Sequence, residues 1–240
     1  MRAGERIGAV IPALNEARAI SLVIGDIPTW VDQIVVGDNG STDGTGEIAR
    51  RAGAVVVREE ERGYGAACLA ALRQLEDIDV VVFLDGDRSD YPEDMHLLVE
   101  PILTGTADMV IGSRAMGTRE PGALTPQQRF GNWLATFLIH VFWGTRYTDL
   151  GPFRAIRWAS LEALSMADRN YGWTVEMQIK AIEQGLRVHE VPARYRRGIG
   201  QSKVSGTVKG SLMAGYKILY IIARHALRRL RTCCKLPARN

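Results

Sequence analysis

Asp85 and Asp87 stand two apart at the end of the apolar run Val80–Leu84, with Gly86 between them. Paired hard oxygens at the carboxyl end of a strand suit Mg2+ or Mn2+ held partly by a substrate's phosphates. In open α/β sheets ligands bind beyond the carboxyl ends of the strands. Two upstream turns therefore bear on the same place. One is Asp38-Asn39-Gly40-Ser41-Thr42-Asp43-Gly44-Thr45, and the other is Pro12-Ala13-Leu14-Asn15-Glu16. Paired Asp residues at two of the three turns argue against an unassisted phosphate cradle. They favour recognition of a base or ribose together with a metal.

The elements that must position these turns alternate. Ile7–Ile11 reads as a short buried strand ended by Pro12, and Asn15 and Glu16 open a helical segment through Asp26. Gln33–Val36 is a second strand, and Ser41 or Thr42 is the expected N-cap of a helix through Ala52. Ala54–Val57 is a third strand, Gly65–Leu75 a helix, and Val80–Leu84 a strand apolar enough to be covered on both faces. This alternation predicts an α/β fold with a mostly parallel central sheet covered by helices. Later come a strand at Val110–Ile111 and a loop over Ser113–Gln128 rich in Gly, Pro and charge. Trp133–Trp143 is then apolar nearly all round, Tyr171–Gln184 an amphipathic helix and Leu186–Val191 a strand. Val208–Arg231 has helical periodicity.

The three turns at this spacing resemble the GT-A fold, a Rossmann-like architecture, of family 2 glycosyltransferases, inverting enzymes that use nucleotide sugars. That similarity covers roughly residues 6–115. Asp149–Arg154, Trp173–Glu176 and Tyr195–Thr207 resemble the polyprenyl-phosphate (dolichol-phosphate) mannosyl- and glucosyltransferase-like branch. The resemblance implies that Pro12, Leu14 and Glu16 surround the nucleotide base and ribose, and that Asp38 hydrogen-bonds the base. Arg62, Gly63 and Gly65 would line the nucleotide site through close backbone approach, with Gly86 beside them. Asp85 would contact the ribose or the metal, and Asp87 would ligate the metal that bridges the diphosphate. Such an ion neutralises charge on the leaving group, an effect worth several kcal/mol. Relatives of this branch often carry Gln two residues after the second Asp; here Ser89 stands there, and Asp90 is the acid able to replace it. The implied organisation is a transferase domain over 1–207 followed by a basic amphipathic helix and tail over 208–240. Within the domain, 1–115 would bind the nucleotide sugar and 116–207 the acceptor.

A hydroxyl acceptor needs a general base, for which Glu176 is the first candidate and Asp149 the second. A polyprenyl phosphate or other lipid-linked acceptor is already anionic and needs cations instead. The resemblance points to Arg114, Arg129, Arg154, Arg197 and Lys203, with Ser202 beside them, and Gly198–Lys203 reads as a loop able to close over the diphosphate. Phe130–Trp143, aromatic and without charge between Arg129 and Arg146, reads as an interfacial helix or as a buried one.

Composition sets the outer bounds. At 240 residues with 46% hydrophobic and 24% charged, the chain is globular, one large domain or one domain with an arm. No stretch reaches the roughly eighteen apolar residues of a membrane span, and no secretory signal is visible. Three cysteines make no disulfide framework, so a cytoplasmic location is expected. From Arg187 onward thirteen Lys or Arg face the single acid Glu190; the overall charge is +3, so residues 1–186 are net acidic. An acidic body with a basic tail suits a cation-assisted site beside an anionic membrane surface, with peripheral attachment on its cytoplasmic face. Nucleic acid fits the acidic turns badly. Gly63-Tyr64-Gly65 lacks the third Gly of a dinucleotide fingerprint, having Cys68 there. The four His show no metal-ligand spacing. Residues 1–16 hold no phosphate-gripping loop of a nucleotidyltransferase. A transferase to a soluble hydroxyl acceptor is the alternative activity.

Overall fold

Runs of Val and Ile supply the strands and Ala-rich or Leu-rich stretches the helices. The computed structural model describes residues 2–200 and 208–233. Its strands are β1 (Ile7–Ala13), β2 (Gln33–Asp38), β3 (Val55–Arg58), β4 (Val80–Phe83), β5 (Met109–Ser113), β6 (Arg154–Arg157) and β7 (Val188–Pro192). The helices are α1 (Ile20–Asp26), α2 (Thr45–Arg51), α3 (Tyr64–Leu72), α4 (Met95–Leu103), α5 (Pro126–Trp143), α6 (Trp158–Leu164), α7 (Trp173–Glu183) and α8 (Val208–Cys233).

All seven strands join one sheet in the order β3-β2-β1-β4-β6-β5-β7. Only β6 runs against its neighbours, pairing antiparallel with both β4 and β5. Two cores flank the sheet. Val10, Val35, Val81 and Phe83 face a layer that contains residues of α3, α5, α6, α7 and α8. Ile11, Val36, Val80, Val82 and Leu84 face the opposite layer, formed with α1, α2 and α4. Coverage on both sides explains why β4 is apolar without alternation.

Several boundaries differ from the sequence reading for local reasons. Pro12 does not end β1; it pairs with Gly37 of β2. The β1–β4 ladder stops at Val10 and Phe83. Val10 still faces β4, since its carbonyl accepts the Leu84 N–H, while the Ala13 carbonyl faces β2 by accepting the Asn39 N–H. Alternation turns the nitrogen of Pro12 to the β4 side, where no ladder bond remains to be lost. Helix α1 starts only at Ile20, because Asn15 takes a left-handed φ of 54° and the chain turns there. Neither Ser41 nor Thr42 caps α2; the N-cap is Gly44 at φ 88°. Helix α5 starts seven residues before Trp133, at Pro126, through a capping box between Thr125 and Gln128. The sequence reading did not foresee α4, β6 or α6. Helix α7 is buried almost all round rather than amphipathic, since α6 and α8 pack on the faces that the sheet leaves free.

The start of α3 is set by a close approach. The Ala66 N–H donates to the Arg169 carbonyl at 2.8 Å and the Gly65 N–H to the Asn170 carbonyl at 3.3 Å. A Cβ on Gly65 would collide with the Asp168 carbonyl, and one on Gly63 with the Arg169 carbonyl. Gly65→Ala is therefore expected to cost about 1–3 kcal/mol of stability. Urea unfolding should show a lower midpoint at unchanged slope, and an unmoved midpoint would refute the close approach.

Candidate active site

The carboxyl ends of β1, β2 and β4 open into a cleft of about 350 Å3. Pro12, Leu14 and Glu16 line it from the β1 turn, Asn39 from the β2 turn, and Arg62, Gly63 and Tyr64 from the start of α3. Asp85, Gly86 and Asp87 form its β4 side, and Asn170 and Tyr171 reach it from the segment before α7. The β1 and β2 turns are stitched together. Asn15 N–H donates to Ser41 Oγ (2.9 Å), Glu16 N–H to Thr45 Oγ1 (2.8 Å), and Ala17 N–H to Asp43 Oδ2 (3.0 Å). Burial would raise the Asp43 carboxyl, but hydrogen bonds from Thr45 and Ala17 outweigh it and hold it low. Asp43 is a brace. Asn39 fastens the other wall, accepting from Gly63 N–H at 2.7 Å and donating to the Glu61 carbonyl at 2.7 Å.

The β4 turn concentrates negative charge. Tyr64 Oη donates to Asp85 Oδ1 at 3.1 Å, Asp85 N–H donates to Asp90 Oδ2 at 3.2 Å, and Ser89 N–H donates to Asp87 Oδ1 at 2.9 Å. Burial, then the charges of Asp90 and Asp87, push the Asp85 carboxyl well above its ordinary range. Burial also lifts Asp90, to about 7. Arg114 pulls both back down without contacting either as an ion pair. Among the described residues none forms an ion pair with Asp85, Asp87 or Asp90. Nor does any group of three or more His, Cys, Asp or Glu among them form a self-sufficient metal cage. Two part-buried carboxylates short of counter-charge fit a divalent ion whose remaining ligands come from a bound phosphate. The turn itself is clamped from behind. Arg88 takes a left-handed φ of 66° and pairs with Asp26, while Arg196 donates to the Arg88 carbonyl at 2.6 Å and the Asp90 carbonyl at 3.2 Å. Ile199 N–H then donates to the Asp87 carbonyl at 2.7 Å.

Residues 9–164 match the family described as glycosyl transferase family 2. The chain belongs to this family. It is 31% identical over 220 residues to an undecaprenyl-phosphate mannosyltransferase of Micrococcus luteus, covering 85% of this chain and 90% of that protein. It is 32% identical over 228 residues to a polyprenol monophosphomannose synthase of Mycolicibacterium smegmatis, covering 86% and 84%. Its fold matches the crystal structure of glucosyl-3-phosphoglycerate synthase from Mycobacterium tuberculosis in complex with Mn2+, UDP-glucose and phosphoglyceric acid. The TM-score is 0.76 at 24% identity, over 94% of this chain and 81% of that one. The expected GT-A architecture is the one observed, and the chain is a glycosyltransferase.

Within this family 2 glycosyltransferase the residues singled out by sequence divide into two groups. Pro12, Leu14, Glu16, Arg62, Gly63, Asp85, Gly86 and Asp87 meet in the cleft. Asp38 does not line it; buried at 5% exposure, it accepts from Ser41 N–H at 2.8 Å and holds the turn. Gly65 lies beneath the wall, and its close approach is to the protein's own Asp168 carbonyl.

Both candidate bases are already engaged. Glu176 is buried, accepts from Ala167 and Asp168 N–H, and pairs with Lys180 Nζ at 2.9 Å. Asp149 holds Arg114 through two side-chain bonds of 2.8 and 2.7 Å and the Arg114 N–H at 2.8 Å. Burial opposes ionisation of Asp149, but Arg114 prevails and keeps its carboxyl below the usual range.

The expected acceptor cations scatter. Arg154 is fully buried, donates to the carbonyls of Leu150, Gly151 and Thr174, and is brought down to about 10 by burial. It is a fastener, closed to an acceptor. Arg197 donates to the Pro121 carbonyl at 2.8 Å, and Arg129 is exposed at the start of α5. Ser202 and Lys203 lie outside the described residues. Besides Ala13 and Ala67, the cleft residues the sequence reading missed are Asn39, Tyr64, Asn170 and Tyr171. Asn39 and Tyr64 stood inside segments already singled out, whereas nothing local marks Asn170 or Tyr171.

Two predictions follow from this geometry. A Cβ on Gly198 would overlap Asp87 Oδ2. Gly198→Ala should therefore displace that carboxylate and lower sugar transfer on the order of 100-fold with a nearly unchanged unfolding midpoint; full turnover would exclude the overlap. The depressed Asp149 carboxyl contributes stability that is present above its ordinary value of 3.8 and lost as pH falls through its lower folded value. Asp149→Asn should cost about 3–5 kcal/mol at pH 7, and in denaturation series the gap to the parent should close below about pH 4. A gap independent of pH would count against the ion pair.

Proposed function

We propose that this glycosyltransferase moves a hexose, with inversion, from a nucleoside-diphosphate sugar to polyprenyl phosphate at a membrane surface. The donor side rests on the cleft, where Asp85 and Asp87 face Pro12, Leu14 and Arg62 across one space. Pro12 and Leu14 supply an apolar shelf for a base, and Glu16 lies where a ribose would hydrogen-bond. Asp85 and Asp87 would hold Mg2+ or Mn2+, which when bound offsets the charge that builds on the departing diphosphate. Tyr64 orients Asp85, Ser89 N–H orients Asp87, and Arg62 adds a cation at the cleft.

One observation carries the acceptor assignment. Glu176 and Asp149, the two carboxylates suited by sequence to deprotonate a hydroxyl, are committed to structural partners. A phosphate oxygen attacks without needing that proton removed. The names borne by the mannosyltransferase relatives support the same acceptor class.

The surface supports a membrane location. Helix α5 exposes Phe130, Trp133, Phe137 and Val141; Phe130 and Trp133 lie tilted at 5.8 Å, and Trp133 and Phe137 are stacked at 5.7 Å. Beside it α8 exposes Tyr216, Tyr220, Leu227 and Leu230 among Arg224, Arg228, Arg229 and Arg231. An apolar face interleaved with cations matches the anionic cytoplasmic leaflet. No helix among the described residues is long and apolar enough to cross a membrane, so this reading is of peripheral attachment.

The test is transfer from a panel of labelled nucleotide sugars, with Mn2+ or Mg2+ and vesicles containing polyprenyl phosphate, followed by organic–aqueous partition. Metal-dependent label should enter the organic phase and fall to background in Asp87→Ala. Label confined to a water-soluble product would move the acceptor to a soluble molecule, and normal turnover in Asp87→Ala would sink the metal assignment.

A further inference from the structure

The wall formed by Asn170 and Tyr171 belongs to a short segment, 167–172, that is held from three sides. Glu176 accepts from the Asp168 N–H at 2.7 Å at its start. Asp168 Oδ1 accepts from the N–H groups of Asn170 (2.8 Å) and Gly172 (3.0 Å), which folds the segment around its own carboxylate. The carbonyls of Arg169 and Asn170 receive the first N–H groups of α3, directly beneath the cleft. The third side is α8. Lys217 Nζ reaches Asp168 Oδ2 at 2.9 Å, and one turn later Ile221, 2% exposed, packs where a Cβ on Gly172 would stand.

The Asp168 side chain is only 2% exposed, and Lys217 is its one ion-pair partner among the described residues. A carboxylate buried to that degree depends on its partner, and an orphaned one would draw in water or reorganise the N–H groups around it. One of those N–H groups belongs to Asn170, which lines the cleft, and the other to Gly172, the neighbour of the lining residue Tyr171. Helix α8 therefore bears on the segment that walls the cleft through one charge and one aliphatic side chain, although none of its described residues lines the cleft.

We propose that Lys217 is a positioning residue for the donor: through Asp168 it sets Asn170 and Tyr171, so that nucleotide affinity depends on how α8 is seated. The inference rests on the donor-cleft reading above. Lys217 is part-exposed and far along the chain from the three turns, and neither its type nor its spacing marks it in the sequence.

The experiment is titration calorimetry of UDP and of GDP, each with Mn2+, into the full chain, Lys217→Met and Lys217→Arg. Donor KM, acceptor KM and thermal midpoint are followed in parallel. Lys217→Met should weaken nucleotide binding and raise donor KM on the order of fivefold, the equivalent of about 1 kcal/mol. Acceptor KM should stay unmoved, and Lys217→Arg should recover most of the loss. A lower thermal midpoint with unchanged nucleotide affinity would make Lys217 a stabilising surface pair and overturn the proposal. A parent chain that binds neither nucleotide would instead remove the donor-cleft reading, and this proposal with it.

Discussion

Like-charge repulsion at the end of β4 is the constraint around which the rest is arranged. Asp85 and Asp90 are joined by a backbone hydrogen bond from one to the carboxylate of the other, with Asp87 between them in the chain. Part-buried acids at such range resist ionising together, and the surrounding structure works against that resistance without cancelling it. Tyr64 and Ser89 give hydrogen bonds, and Arg114 gives a field. Arg196 grips the turn only by its carbonyls. Arg114 in turn is fixed by Asp149, and Glu190 holds the Asp149 loop by accepting from the N–H groups of Thr148 and Asp149. What remains uncancelled is negative charge at the mouth of the cleft.

The strip after β7 reaches this point through backbone pairing. Tyr195 exchanges backbone hydrogen bonds with Thr118 and Glu120, and Arg197 N–H donates to Glu120 Oε2 at 2.9 Å. The strip from Ala193 to Ile199 therefore joins the loop that leads into α5 to the main chain of Asp87. The aromatic face of α5 and the carboxylate pair are thus mechanically continuous, and glycine at 198 lets the strip lie flat against the acid.

Much of the cleft was legible because its residues are local to three turns. Asp85-Gly86-Asp87 and the two earlier turns follow strands whose apolar runs announce them, and a parallel sheet brings such turns to one edge by necessity. Partnership was not legible. Glu176, Asp149 and Arg154 have the residue types of a base and a phosphate grip, yet each is consumed by structural partners: Asp149 by the distant Arg114, Glu176 by Lys180 and the N–H groups of Ala167 and Asp168, and Arg154 by main-chain carbonyls. Arg154 serves carbonyls of Leu150, Gly151 and Thr174, and the last of these is in reach only once α7 has packed. Strand β6 escaped notice because Arg154-Ala155-Ile156-Arg157 is short and framed by charge. Its antiparallel pairing on both sides lets four residues suffice. Pro12 misled for the opposite reason: a strand breaker is harmless where the neighbouring ladder has already ended.

The placement of β6 also fixes an order of events during synthesis. Its two neighbours, β4 and β5, precede it in the chain, and among the described strands β5 pairs only with β6 and β7. As the chain leaves the ribosome, β4 therefore waits with one bare edge of valines, and β5 waits with no strand to join. The sheet closes only when residues 154–157 slot between them, a contact across more than seventy positions from Val80 to Arg157. Such closure is slow, and the waiting edge is open to pairing with another chain. That open edge belongs to the strand that leads into Asp85 and Asp87.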